Sequence, residues 1–125
     1  RRHANGALGV QRALIAADAP AGLAALFTRL FGPEAVTAID GGHRLAVGLS
    51  SFDVITPAEL ARRLGSAAPP AQGRREYMAA LVLRTAALAQ TEAALLAGAI
   101  GFTREAHRIV VPPSETMGAA LVFHQ

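Results

Sequence analysis

The sequence predicts an α+β fold: two βαβββ units that face one another as a half-barrel with a central cavity. Three observations carry that prediction. Residues 8–32, LGVQRALIAADAPAGLAALFTRLFG, read as an apolar strand, a turn at Asp18-Ala19-Pro20, and an amphipathic helix closed by Gly32. A weaker copy returns at residues 78–101, MAALVLRTAALAQTEAALLAGAIG. Short β segments follow each copy. Internal duplication fixes an architecture before any single residue does. A unit that covers one sheet face with its helix leaves the other face open, and two open faces together enclose a cavity. A ferredoxin-like sandwich needs fewer strands than the chain supplies.

The elements follow in order. Residues 1–7, RRHANGA, are a polar lead-in with a turn signal at Asn5-Gly6. Val10–Ala17 is apolar on both faces except at Gln11 and Arg12, the pattern of a strand covered on both sides. Asp18 is placed to cap the next helix, and Pro20 suits its first turn. Leu23, Leu26, Phe27, Leu30 and Phe31 repeat at the spacing of a core-facing stripe, and Gly32-Pro33 ends the helix. Ala35–Ile39 and His43–Leu49 form a hairpin about Asp40-Gly41-Gly42. A turn at Ser50-Ser51 leads to a fourth strand, Phe52–Ile55. Thr56-Pro57-Ala58-Glu59 is a capping box that opens a short helix through Leu60 and Leu64.

Residues 66–75, SAAPPAQGRR, have the composition of a linker. The second unit starts with strand Met78–Arg84. A helix over Thr91–Ala99 follows, with Leu88, Leu95, Leu96 and Ala99 inward. Phe102–Ala106 and His107–Val111 form a second hairpin, and Gly118–Gln125 is the last strand. The 125 residues are expected to be one domain, with module one at 8–65, the linker at 66–75 and module two at 76–125.

Composition removes several classes of function. The chain is 52% hydrophobic and 17% charged, which excludes a disordered chain. No apolar run reaches the roughly 18–20 residues of a membrane span. Cysteine is absent, which removes disulfides, thiolate zinc sites and cysteine nucleophiles. Lacking cysteine and any signal-peptide pattern, the protein is expected to be cytoplasmic. The net charge of +3 invites a nucleic-acid reading. Yet all twelve basic residues are Arg and they are scattered, with short pairs only at Arg62-Arg63 and Arg74-Arg75. Aromatic side chains are limited to five Phe and Tyr77, so no nucleic-acid footprint forms. No Ser-His-Asp set and no phosphate-binding glycine loop is readable.

Three segments carry a resemblance. Residues 3–32, HANGALGVQRALIAADAPAGLAALFTRLFG, resemble the opening of a glyoxalase-like module of the vicinal oxygen chelate superfamily, which groups glyoxalases, bleomycin-resistance proteins and extradiol dioxygenases. FDVITPAELARRLG resembles the closing strand of such a module with its trailing helix, and VPPSETMGAALVFHQ the closing strand of the next. The motifs are mostly apolar patterning, so they speak to fold more than to activity. In larger relatives an HANGA-like lead-in often introduces a later domain. With no initiator Met, the resemblance therefore implies the C-terminal part of a longer bacterial polypeptide. It also implies a cytoplasmic homodimer, or a pairing with another glyoxalase-like domain.

The resemblance further implies a divalent metal held by His, Gln or Glu on the first and last strands of each unit. The matching positions here are Arg12, Asp53, Ala80 and Val122. Arg12 to Asp53 and Ala80 to Val122 are separated by nearly equal lengths of chain. One carboxylate beside a guanidinium is not a divalent-metal site. Arg12 and Asp53 are instead expected to neutralise one another, because a buried charge needs a partner. The ligand-binding candidates are Arg12, Asp53, Arg84 and His124, with no metal ligands and no catalytic residue identified. His3, Asn5, His43, His107 and Tyr77 are weaker candidates. Arg12 suits an anionic small molecule, since its fork matches carboxylates and phosphates.

Three functions stay open. The domain binds a small molecule, or serves as a structural half of a larger enzyme, with a degenerate metal site and no cofactor. Alternatively it is an active lyase, isomerase or dioxygenase, with a divalent metal whose ligands another chain or domain completes. Thirdly, it sequesters an antibiotic without catalysis. Fold does not choose among them.

Overall fold

In the computed structural model the described residues are 6–116 and 118–125. His3 and Asn5 lie outside them. Eight strands form one open sheet: β1 Ala7–Ala17, β2 Val36–Ile39, β3 Gly42–Val47, β4 Ser50–Ile55, β5 Glu76–Thr85, β6 Thr103–Arg104, β7 Arg108–Val111 and β8 Ala120–His124. Three helices join them: α1 Pro20–Phe31, α2 Pro57–Leu64 and α3 Leu88–Ala97. None is long and apolar enough to cross a membrane.

The strand order is β2-β3-β4-β1-β5-β8-β7-β6. Each unit pairs its first and last strands in parallel, β1 with β4 and β5 with β8. The units join through the antiparallel pair β1–β5, where Arg12 faces Val82 and Leu14 faces Ala80. This pattern is pseudo-two-fold, and it is the glyoxalase-like half-barrel. The register also supports the equivalence of Arg12 with Ala80 and of Asp53 with Val122. Asp53 lies two residues beyond the β1 partner of Arg12, which is Ser51; Val122 lies two beyond the β8 partner of Ala80, which is Ala120.

Alternation along β1 divides the core into layers. Ile15 and Ala17 pack with Val54, Leu45 and the α1 residues Leu23 and Phe27 on the outer face. Leu88 and Leu95 of α3 cover Ile109, Val111 and Phe123 in the same way. Leu14 and Ala16 point to the inner face, where Leu60 and Leu64 of α2 join Ile55, Ala80, Ala120 and Val122. The capping box sets α2 in place: the Glu59 N–H donates to Thr56 Oγ1 at 3.2 Å. Gly41 and Gly42 let the β2–β3 hairpin approach α2 and β4. A Cβ on Gly41 would lie 2.4 Å from the Glu59 Cβ, and one on Gly42 would lie 1.9 Å from the Val54 carbonyl oxygen.

Several expectations are corrected. The second turn of module one is Gly48-Leu49, not Ser50-Ser51: Gly48 takes the left-handed conformation, and Val47 pairs directly with Ser50. Asp18 does not cap α1. Ala19 occupies that position without a side-chain bond, while the Asp18 N–H donates to the Arg75 carbonyl. Of the α1 stripe, Leu23 and Phe27 pack against the cluster of Ala17, Leu45 and Val54, but Leu26, Leu30 and Phe31 lie beyond it and are exposed. The α3 helix starts at Leu88, and Thr91 and Leu95 turn inward with it, whereas Leu96 and Ala99 are exposed. The linker is packed: Tyr77 donates its hydroxyl to the Pro69 carbonyl at 3.2 Å, and Arg74 stacks over the Tyr77 ring at 4.4 Å. Tyr77 thus fastens the linker and does not line the main cavity.

Candidate functional site

The inner face of the sheet and the C-terminal end of α2 enclose a cleft of about 620 Å³. Leu14, Leu64, Val82 and Val122 supply apolar wall. The polar groups come from three places: Gln11 and Arg12 on β1, Arg62 and Arg63 on α2, and the β6–β7 turn with Arg108 beside it. His124, near the end of β8, completes the rim. A β-bulge positions the β1 pair. The register steps from Val10–Leu83 to Arg12–Val82 and skips Gln11. Bulges re-aim side chains in this way, so two consecutive residues line the same cleft. Gln11 accepts a hydrogen bond at Oε1 from His124 Nε2, across the intervening strand β5.

Beneath the cleft lies an ion cluster centred on Asp53, whose side chain is fully buried. Arg44 donates to it twice, Nε to Oδ1 at 2.7 Å and an Nη to Oδ2 at 3.0 Å. Arg63 donates Nη1 to Oδ2 at 2.8 Å. Arg12 Nε is 3.6 Å from Oδ1 and makes its hydrogen bond to Ser51 Oγ at 2.9 Å. Arg63 also binds Glu59 through Nε at 2.8 Å, and Arg62 grips both Glu59 oxygens at 2.8 and 2.6 Å. Arg108 donates to the Arg63 carbonyl at 2.8 Å and to Glu105 at 2.9 Å.

The electrostatics follow from the contacts. Burial alone would raise the Asp53 carboxyl. Hydrogen bonds from Arg44 and Arg63, with the charge of Arg12, outweigh burial and hold it below the usual carboxylate range. Hydrogen bonds from Arg62 and Arg63 lower Glu59 to about 2. Burial lowers Arg12, Asp53 opposes that shift, and repulsion from Arg44 and Arg63 adds to it. Five guanidiniums (Arg12, Arg44, Arg62, Arg63, Arg108) share three carboxylates (Asp53, Glu59, Glu105), so the cluster keeps a positive excess.

The four candidate residues are not all brought together. Arg12 and His124 line the cleft, and Asp53 lies under it in contact with Arg12. Arg84 is exposed and lines a neighbouring cavity of about 340 Å³ with Leu8, Val10 and Leu49. His107 lines the main cleft and His43 does not. Sequence reasoning missed Arg44 and Arg63, the closest partners of Asp53, and also Gln11. The signal for Arg63 was present in the Glu59-x-x-Arg62-Arg63 spacing, which places both arginines on the Glu59 face of a helix.

The four positions at which the sequence resemblance implies metal ligands do not suit a metal. Ala80 and Val122 offer no donor and are buried. Both Asp53 oxygens already accept from guanidiniums, and Arg12 brings a positive charge. Among the described residues no three His, Asp or Glu side chains are grouped to hold a metal ion.

No family model matches the chain, and no curated protein sequence does. Among solved structures, methylmalonyl-CoA epimerase from Mycobacterium tuberculosis is similar, with a TM-score of 0.68 over 98% of this chain and 94% of that one. Sequence identity is 13%, so the likeness shows the fold alone, the glyoxalase-like half-barrel.

Proposed function

We propose that this domain binds a small organic anion in the cleft between its units, and that it does so without a resident divalent metal. One observation carries the reading. The single carboxylate among the four equivalent positions is saturated by Arg44 and Arg63, while Arg12 commits only its Nε. The two Nη groups of Arg12 have no hydrogen-bond partner among the described residues, and its side chain reaches the cleft. A guanidinium with a free edge above a positive cluster is a receptor for a carboxylate or phosphate. The neighbour's name makes methylmalonyl-CoA, an anion, its substrate. That agrees in class with this reading and adds nothing about identity.

Arg12 is the anchor, and Arg63 and Arg108 supply the field that draws the ligand in. Asp53 holds Arg63 in place without meeting the ligand, and Arg108 is held by Glu105 and the Arg63 carbonyl. Residual function as one half of a larger enzyme is compatible with this binding role. An NMR titration with butyrate, alongside elemental analysis of the purified protein, tests the proposal. Expected results are saturable shifts at β1 and at the C-terminal end of α2, and about tenfold weaker binding for Arg12→Ala, from the loss of a charge-assisted contact. A stoichiometric divalent metal bound by residues of this chain would overturn the metal-free half. Absence of saturable anion binding would overturn the other.

A further inference from the structure

We infer that the ligand is amphiphilic: an anion carrying an apolar arm that lies in the second cavity, the one lined by Leu8, Val10 and Leu49. This deepens the anion reading and rests on it. The two cavities share one wall residue, Gln11. Gln11 is the bulged residue of β1, and its side chain is tied to His124 at the rim of the cationic cleft. On the far side of Gln11 the surface changes character. Leu8 and Val10 are 42% and 48% exposed, and Leu49, on the β3–β4 turn, is fully exposed. None of these three belongs to the packed clusters. Apolar side chains left in water beside a binding cleft mark a place where a ligand or partner removes that surface from solvent. Continuity with the positive cleft selects an occupant that has both a charge and a chain. A cavity of about 340 Å³ takes an unbranched arm of several carbons. Arg84 is also on its wall, and an arginine stem can share apolar surface while its head stays in water.

A straight-chain carboxylate series from butyrate to octanoate, titrated by NMR below its aggregation limit, reads the arm directly. A methylene taken wholly out of water tightens binding about fourfold, and one covered on a single side about twofold. The expected gain from butyrate to octanoate is therefore about sixteenfold. Leu49→Ser, at a turn position where it removes no packing, together with Leu8→Ser, should flatten the series to within about threefold. Arg12→Ala should weaken every member by a similar factor and keep the slope. A flat series in the parent protein, with butyrate still bound, overturns the arm and leaves the anion reading standing. Failure of butyrate and octanoate alike removes both. A change of oligomeric state in Leu8→Ser/Leu49→Ser by sedimentation, with the slope retained, assigns the patch to a second copy and also overturns the inference.

Discussion

Replacing Asp53 with Asn tests whether the cluster beneath the cleft is held by charge. Asn keeps the volume, so no cavity forms and the effect is electrostatic. The carboxylate is 0% exposed and accepts at 2.7 and 3.0 Å from Arg44 and 2.8 Å from Arg63. Asp53→Asn removes the countercharge from three guanidiniums and turns an amide N–H₂ toward one of them. Breaking a buried ion pair costs about 3–5 kcal/mol. Here Arg12, Arg44 and Arg63 keep 24%, 37% and 21% of their side-chain surface in solvent, which screens the orphaned charges. The lower end applies, about 3 kcal/mol. For a domain of this length that is a fall of about 12 °C in Tm. Circular dichroism melts and urea unfolding at neutral pH read it. The difference should close in acid. A carboxyl whose folded pKa is depressed contributes stability that is complete above its unfolded value, 3.8, and lost as pH falls through the folded value. The gap between parent and variant should therefore start to narrow as pH falls below 3.8 and close only below the folded value. Adding Arg44→Ala to Asp53→Asn should be less harmful than Arg44→Ala alone, since Arg44 acts through Asp53. A variant that unfolds within about 0.5 kcal/mol of the parent, as surface changes do, refutes the reasoning.

Three further outcomes follow from the same geometry. With its folded pKa at about 2 against an ordinary 4.5, Glu59 contributes stability that is lost as pH falls between those values; Glu59→Gln should flatten that limb of a melting-temperature profile against pH. Gly42→Ala places a Cβ 1.9 Å from the Val54 carbonyl oxygen, so the β2–β3 hairpin must shift; a loss of at least about 2 kcal/mol in urea unfolding is expected, and a neutral result would show that the hairpin sits further from β4. Arg12→Ala should change stability by less than about 1 kcal/mol, because losing its partial contact with Asp53 is offset by relief from Arg44 and Arg63, whereas butyrate binding in the parent should weaken as salt is raised.

The fold was legible because its signals are local and repeated. Gly32, the Thr56–Glu59 box and the Asp40-Gly41 turn each announce a boundary, and the doubled strand–helix pattern orders the units. The Arg12–Asp53 contact was legible too, through the resemblance, which sets both residues at equivalent positions facing the cavity. The rest of the cluster was hidden by register. A turn at Ser50-Ser51 sets Asp53 opposite Gly48, whereas the true turn at Gly48-Leu49 sets it opposite Arg44. Two residues of error erased the closest ion pair of Asp53. Gln11 was hidden for a related reason, since strict alternation turns it away from the side of Arg12 and only the bulge brings both into the cleft. The exposure of Leu30 and Phe31 was illegible because helical periodicity reports a stripe, not the width of the surface that receives it.

The pseudo-two-fold relation between β1–β4 and β5–β8 has a stereochemical consequence. Had both halves kept the same side chains, a guest could enter either way round, and each end would offer the same welcome. Instead one half presents Arg12 above Asp53, and its counterpart presents Ala80 and Val122. The duplicated backbone thus carries an unduplicated chemistry at these four positions, charged on β1 and β4 and apolar on β5 and β8. For a ligand of the class proposed above, the two ways of lying across the β1–β5 seam would therefore be inequivalent, with the charged end directed to Arg12 and not to Ala80.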